Sequence, residues 1–336
     1  MARAPRTKPA PINAVAELAG VSVSTVSRVM NLNSTVDPEI AKRVRQAALT
    51  LNYAPSPLAR SLVLGRTMTV AILVPDLANP TFQSMMRGVG RAAARDGYRI
   101  LVADSIETIS EESILALEMR RRCDAIVLCA PRMPEEELGA LLPELAPVVL
   151  INRENAGTTT PVLTADYEAG IRPLADHLYG LGHRRLAYLE GNPESASNRS
   201  RARGLEAFAT AHPGVEVVTL ACGTSFENGY DRAGEVARSG ATGVLAFNDL
   251  VAMGLLSGLT ELGVKVPDDI SITGFDDIPF ARYTTPPLTT ASVPVVELGE
   301  QAWKRLVAVI RSETPAVDVN YQPRLEIRGS TASVSS

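Results

Sequence analysis

The chain has 336 residues, of which 46% are hydrophobic, 21% are charged and 4% are aromatic, with a formal net charge of -4. This length predicts two or three packed units, and the composition is typical of an α/β protein rather than a disordered, fibrous or membrane protein. No apolar run approaches the roughly 18 residues of a membrane helix. The basic start, MARAPRTKPAP, leads into no apolar segment and is not typical of a signal peptide. We therefore expect a cytoplasmic protein.

Charge is divided unevenly along the chain. Residues 1–66 hold nine Lys or Arg and three Asp or Glu, a formal charge of +6, which leaves the remainder at -10. A basic segment joined to an acidic body is typical of a polyanion-binding module attached to a second functional unit.

Signatures of cofactors and of catalysis are weak. No G-x-G-x-x-G follows a predicted strand and there is no Walker motif, so no dinucleotide or nucleoside triphosphate cofactor is expected. The three cysteines are scattered and odd in number, which indicates small buried side chains rather than disulfides or a metal site. Three histidines in separate contexts form no catalytic pattern, and we expect His183 to be structural. The sequence favours a protein that is not an enzyme and binds no metal.

Three short helices are predicted in the first fifty residues. The first, Ile12 to Ala19, ends at Gly20, which can take the positive φ of a tight turn. Ser22 can cap the second, which runs to Met30. Its inward residues are Val26, Val29 and Met30, and its outward residues are Val23, Ser24, Ser27 and Arg28. Pro11 and Ala14 leave the first helix weakly capped, whereas Asp37 and Pro38 start the third cleanly. This arrangement predicts a helix-turn-helix whose second helix presents a short, polar, basic face to a major groove.

A conditional helix is predicted after Tyr53. In APSPLARSLVLGRT, Ser56 and Pro57 can start a helix over 58–63 that Gly65 stops. So short a helix is unstable alone. We expect it to form only when a partner covers Leu58 and Leu62.

The runs AVAELAGVSVSTVSRVMN, VDPEIAKRVRQAALTLNYAPSPLARSLVLGRT and VAILVPDLANPTF resemble the lactose-repressor (LacI-type) family of bacterial regulators, and the similarity covers nearly the whole chain. The resemblance implies a sequence-specific DNA-binding transcriptional regulator, expected to be a repressor, controlled by a small-molecule effector. It places Val23, Ser24 and Arg28 at base-reading positions. It places Ser22, Thr25, Ser27 and Asn31 at phosphate-contacting or helix-packing positions. Leu62, with Ala59, matches hinge-helix residues that enter the minor groove and kink DNA.

From Thr67 onward, predicted strands and helices alternate, which implies parallel sheets with ligand sites at the carboxyl ends of strands. Strands are predicted at 69–74, 99–103, 125–129, 148–151, 186–190, 215–220, 243–247 and 270–275. Helices are predicted near 81–96, 110–121, 134–145, 167–181, 200–211, 227–238 and 249–262. Polar residues and one aromatic residue follow many of these strands: Asn79, Phe82, Asp104, Arg132, Asn152, Arg153, Asn248, Asp249, Asp276 and Asp277. Together they predict a cleft for a polar small molecule. Carboxylates and amides beside a stacking aromatic favour a sugar or sugar derivative, and a nucleobase is the alternative.

The resemblance implies a two-lobed regulatory domain similar to periplasmic sugar-binding proteins, with crossings between lobes near 162–165, 291–294 and 319–322. Residues at effector-contact positions are Phe82, Asn152, Arg153, Ser195, Ser197, Arg201, Asn248 and Asp276. The chain departs from the family pattern at Arg199, which competes with Arg201, and at Tyr167 and Val293. These departures leave the effector open.

The expected organisation is an all-α head (1–54), a hinge helix (55–66), a regulatory domain (67–330) and a tail (331–336). The N-lobe is expected at about 67–162 and 293–320, and the C-lobe at about 163–292 and 321–330. We expect a homodimer, paired through the regulatory domains, that reads a pseudo-palindromic operator. The tail has no leucine heptad, which disfavours a coiled-coil tetramer. A transport binding protein, the main alternative, would need an export signal and would lack the basic head.

Overall fold

A computed structural model describes residues 10–30, 36–53, 65–153, 159–315 and 319–334. The chain divides between Met68 and Thr69 into two compact units. Asn31, Ala59, Leu62 and the predicted helix over 58–63 lie outside the described residues.

The described part of the N-terminal unit contains three helices, α1 (Ile12–Ala19), α2 (Val23–Met30) and α3 (Pro38–Thr50). Gly20 ends α1 with φ 64°, and its N–H donates to the carbonyls of Ala16 and Glu17. The helices enclose a small apolar core of Val15, Ala16, Ala19, Val26, Val29, Ala41, Val44, Ala47 and Ala48. Pro11 supplies no side-chain cap to α1, whereas Asp37 accepts from the N–H groups of Glu39 and Ile40 at the start of α3. The predicted difference in capping is confirmed.

The larger unit has two lobes, each an α/β layer structure. The N-lobe strands are β1 (Thr69–Val74), β2 (Arg99–Asp104), β3 (Ala125–Cys129), β4 (Val148–Ile151), β5 (Val162–Ala165) and β11 (Val319–Tyr321). Its helices are α4 (Pro80–Arg95), α5 (Ile109–Arg122), α6 (Glu135–Leu145) and α12 (Val295–Ile310). The six strands are parallel in the order β11-β5-β4-β3-β1-β2. Strands β3 and β4 are buried throughout because helices cover both faces of a parallel sheet.

The C-lobe has four parallel strands in the order β7-β6-β8-β9. They are β6 (Arg185–Glu190), β7 (Glu216–Ala221), β8 (Gly243–Ala246) and β9 (Ser271–Thr273). The helices are α7 (Tyr167–Gly180), α8 (Ala196–Ala211), α9 (Phe226–Asp231), α10 (Ala233–Arg238) and α11 (Asp249–Glu261). The helix predicted from about 200 begins at Ala196, and the single helix predicted over 227–238 is two helices that meet at Arg232.

The chain passes between the two sheets three times, after Ala165, after Ser292 and after Tyr321. Two of these passages involve β10 (Thr290–Ser292) and β12 (Arg324–Glu326), which pair antiparallel as a two-stranded sheet. Parallel topology brings the carboxyl ends of the strands in each lobe to one edge, and the connections set those two edges facing each other. A cleft between the lobes follows from this arrangement.

Residues 331–334 belong to the predicted C-terminal tail, and they hydrogen-bond to the C-lobe. His183 is buried, its Nε2 donates to the carbonyl of Ala332 at 3.1 Å, and its Nδ1 lies 2.9 Å from Thr242 Oγ1. Burial lowers the pKa of His183 and favours its neutral form. This histidine anchors the C-terminal segment, as its expected structural role requires. Among the described residues, no helix combines the length and apolarity needed to cross a membrane.

Candidate functional site: an exposed helix face and an interlobe cleft

The outward face of α2 is polar and carries one cation. Val23, Ser24 and Arg28 are exposed, and Thr25 and Ser27 are half-buried. Ser22 Oγ accepts from the N–H of Thr25 at 3.2 Å and lies 2.8 Å from Ser24 Oγ, so the hydroxyls at the start of the helix form one network. The helix contains no acidic residue. This face can approach the phosphates and base edges of DNA without electrostatic repulsion.

A cavity of about 30 Å³, the inner cavity, lies between the lobes at the carboxyl ends of the strands. Its lining is Asn79, Thr81, Phe82, Glu107, Ala130, Arg132, Asn152, Tyr167, Ser197, Arg201, Thr224, Phe247 and Asp276. Five of the eight predicted effector residues therefore converge here: Phe82, Asn152, Ser197, Arg201 and Asp276.

Arg201, on α8, is enclosed by aromatic rings. Its guanidinium carbon lies 4.0 Å from the ring centre of Phe275, 4.4 Å from Tyr167 and 4.6 Å from Phe247. Nη1 donates to the carbonyl of Ser197 at 3.1 Å, and Nη2 lies 3.6 Å from Asp276 Oδ1. Nε is buried without a hydrogen-bond partner among the described residues. A buried donor of this kind suits a ligand oxygen, because leaving it unpaired costs free energy.

Asp276 faces Arg201 from the loop after β9, with φ 104°, a conformation that Asn and Asp tolerate better than most residues. Thr81, at the start of α4 in the N-lobe, donates its hydroxyl to Asp276 Oδ2 at 2.9 Å across the cleft. Burial raises the pKa of Asp276 to about 6, against the opposing effects of Arg201 and the Thr81 hydroxyl. The buried Asp276 carboxylate therefore lowers the stability of the folded protein. It lies where it can accept a hydrogen bond from a ligand hydroxyl.

Glu107 and Arg132 form a second charged pair in the cleft. Arg132 donates from Nε and Nη2 to the two carboxylate oxygens of Glu107, each at 2.9 Å. Asn192, in the C-lobe, donates from Nδ2 to Glu107 Oε2 at 2.9 Å. The inner cavity is therefore lined by two cations and two anions, and its formal charge is balanced.

The remaining predicted residues lie around this cavity. Arg153 lines a neighbouring cavity of about 180 Å³ beside the hinge connections, and it donates to the carbonyls of Pro131 and Met133. Ser195 is buried with its Oγ 2.9 Å from Ser197 Oγ. Asn248 caps α11 through the N–H of Val251 and donates to the carbonyl of Thr224. Asn248 thus has a structural use that accounts for its type in this sequence.

Sequence reasoning placed Arg132 among the polar residues of the cleft and noted Tyr167 only as a departure from the family pattern. It missed Thr81, Glu107, Thr224 and Phe247 as cleft residues. Thr81 lies two residues after the helix cap Asn79, and Phe247 directly follows a strand end, positions that could have identified them. Among the described residues, no group of three His, Cys, Asp or Glu side chains could hold a metal ion.

Comparison with known proteins extends over almost the whole chain. Residues 11–56 match the model of the bacterial regulatory proteins of the lacI family, and residues 175–331 match the periplasmic binding protein-like domain. The transcriptional regulator GalR of Salmonella typhimurium (strain SL1344) is 33% identical over 331 residues, 96% of each chain. The chain belongs to the LacI family.

Other relatives agree with this assignment. The ribose operon repressor of Bacillus subtilis (strain 168) is 32% identical over 318 residues, which is 94% of this chain and 96% of that repressor. The crystal structure of the lac repressor dimer bound to operator and the anti-inducer ONPF matches with a TM-score of 0.86 and 25% identity, over 97% of this chain and 100% of that chain. As a LacI-family member this protein is a DNA-binding transcriptional regulator and not an enzyme, and its helix-turn-helix and parallel-sheet regulatory fold are confirmed.

Proposed function

We propose that the protein represses transcription from a pseudo-palindromic operator, and that an uncharged sugar bound between the lobes controls its affinity for that DNA. The observation that carries the proposal is the inner cavity, where Arg201 and Asp276 offer a donor and an acceptor beneath aromatic rings. Sugars present hydroxyls and apolar ring faces together, and this lining complements both. The balanced charge of the lining favours an uncharged ligand. The relationship to a ribose operon repressor supports the same class.

We assign effector contacts to Phe82, Asn152, Arg153, Ser195, Ser197, Arg201, Asn248 and Asp276. Three of these residues present a donor or an acceptor to the inner cavity: Arg201 through Nε, Asp276 and Asn152. The Oδ1 of Asn152 lies 3.4 Å from the N–H of Ala165, a long contact that a ligand donor could replace.

On DNA, we assign base reading to Val23, Ser24 and Arg28, with Ser22, Thr25, Ser27 and Asn31 against phosphates or neighbouring helices. Arg28 can donate to guanine O6 and N7, and Val23 can contact a thymine methyl group. Ala59 and Leu62 would enter the minor groove from a hinge helix at 55–66 and kink the site. The head would span residues 1–54.

The lac repressor structure is a dimer on its operator, and we propose that this protein works as a homodimer, in the cytoplasm where its DNA lies. The regulatory domain would pair with a second copy and so bring two heads onto one operator. An effector acts only through its differential affinity for the two arrangements of the lobes, so it can weaken or strengthen DNA binding.

The test is a thermal-shift screen of the full chain against neutral sugars, sugar phosphates and nucleosides. We expect a neutral sugar to raise the melting temperature, since a ligand at 100 times its Kd stabilises by about 2.7 kcal/mol. An Arg201→Met variant should lose the response. Stabilisation by a nucleoside or a sugar phosphate alone would contradict the proposed effector class.

A further inference from the structure

The lobes approach each other closely around the inner cavity. About 30 Å³ holds only one or a few water molecules, whereas sites for small organic ligands occupy some 300–1,000 Å³. A sugar can therefore enter only when the lobes separate. Any contact that joins the lobes beside the cavity must break in that step.

The contact between Glu107 and Asn192 has the position to control this step. Glu107 lines the inner cavity and also a second cavity of about 350 Å³, the mouth cavity, whose wall includes Asn192, Cys222, Thr224 and Arg232. The hydrogen bond between the two side chains, 2.9 Å long, joins the N-lobe to the C-lobe where these cavities meet. The hinge connections lie along the other cavity, beside Asp166 and Asn320.

Both partners are held in place before they meet. Arg132 clamps the Glu107 carboxylate through two donors, and Arg132 is itself fixed by the carbonyl of Ala130 at 3.0 Å. On the other lobe, Asn192 Oδ1 accepts from the N–H of Glu194 at 2.9 Å, which orients Nδ2 toward Glu107. A hydrogen bond between preorganised groups, one of them charged, is stronger than an ordinary surface contact.

The backbone beneath Glu107 is strained. Ile106 and Glu107 have φ values of 51° and 52°, in the left-handed region that is least favourable for a β-branched residue such as Ile106. Ile106 is 77% exposed, so burying its side chain does not offset the strain. The N–H of Glu107 donates to the carbonyl of Pro75 at 2.7 Å and holds the turn. This turn places the Glu107 carboxylate against Arg132 and Asn192.

We propose that Glu107 and Asn192 form a cross-lobe latch that holds the mouth of the cleft closed and that an effector must break to enter. The proposal rests on the proposed function of the cleft. Both residues are positioning residues: they control the opening of the cleft, while Arg201 and Asp276 contact the ligand. The strength of the latch then sets the rates at which the effector enters and leaves.

The test measures cleft opening without ligand. In the full chain, Ala130→Cys places a thiol in the inner cavity at a buried position, and Cys222→Ser removes the half-buried native thiol. The rate of labelling by a small maleimide then reports how often the lobes separate. Asn192→Asp keeps the acceptor for the N–H of Glu194, removes the donor to Glu107 and sets two carboxylates against each other. We expect labelling to become at least about tenfold faster.

Two further variants make the result specific. Glu107→Gln combined with Asn192→Asp restores a donor and an acceptor across the cleft, and labelling should return toward the starting rate. Glu194→Ala alters an exposed side chain two residues away and should leave the rate unchanged. Cys123 and Cys129 are buried and report global unfolding, so their labelling should not change.

The latch is refuted if Asn192→Asp labels at the starting rate, if the double variant stays fast, or if Cys123 and Cys129 become reactive in parallel. Because no ligand is present, failure to find a sugar effector would leave this result intact. A negative labelling result would likewise leave sugar binding untouched.

Discussion

Asp276→Asn should stabilise the regulatory domain at pH 7. Burial raises the pKa of Asp276 from 3.8 to about 6, so the folded state favours the neutral acid. The stability that comes from this preference is fully present below pH 3.8 and is lost as the pH rises to about 6. A shift of about 2 pKa units corresponds to about 3 kcal/mol. Asparagine carries no charge and tolerates the positive φ at this position, so it removes that cost.

The assay is thermal unfolding of the full chain between pH 3.5 and pH 7.5. At pH 7 the variant should melt about 5 °C higher in the transition of the regulatory domain, and the difference should disappear as the pH falls toward 4. The carboxyl of Asp249 is also buried with a raised pKa, partly through repulsion from Asp276, so removing the Asp276 charge adds to the gain in stability at pH 7. A variant that is less stable at pH 7, or a difference that does not vary with pH, would refute the reasoning.

Four other substitutions test the head, the hinge and the two lobes. Arg28→Ala should cost about 1–3 kcal/mol of operator binding with loss of preference at one base pair in a selection assay, whereas an equal loss on all sequences would make Arg28 a phosphate contact. Leu62→Ala should reduce both operator affinity and DNA bending in a gel-shift assay, and unchanged bending would reject the proposed minor-groove wedge. In urea unfolding, Gly254→Ala should destabilise the C-lobe by about 1–3 kcal/mol or more, because its Cβ would meet the carbonyl oxygen of Phe226. Gly139→Ala, whose Cβ would lie in open space on α6, should stabilise by about 0.5–1 kcal/mol in the same assay. Equal effects of the two glycine substitutions would contradict the packing of α9 against α11.

Local signals in the sequence were sufficient for most of the elements. The head followed from Gly20, Asp37 and Pro38, residues whose backbone preferences act within a single turn of chain. The parallel sheets followed from apolar runs such as AIVLC, which is buried at every position. The break at Arg232 was missed because α9 and α10 share one continuous amphipathic pattern, and their packing on α11 separates them.

The cleft was predictable only in part. Arg201 and Ser197 were found through resemblance alone, and Phe82, Asn152 and Asp276 also through their position beside a strand or helix end. Glu107 could not be found in this way, because its role depends on a strained turn and on Asn192, 85 positions away in the chain. No local pattern encodes a contact between two lobes. The same limit explains why the aromatic enclosure of Arg201 was not foreseen: Tyr167, Phe247 and Phe275 come from three separate elements.

The central claim is that a ligand in the interlobe cleft controls the affinity of the head for DNA. It is tested most directly by measuring the Kd of the full chain for a selected operator with and without the sugar that stabilises it, in the parent protein and in Arg201→Met. We predict that the sugar changes the Kd of the parent about 5- to 150-fold, the usual range of allosteric coupling, and leaves that of the variant unchanged. A Kd that is the same with and without the sugar in the parent, or that changes equally in both proteins, would contradict the account.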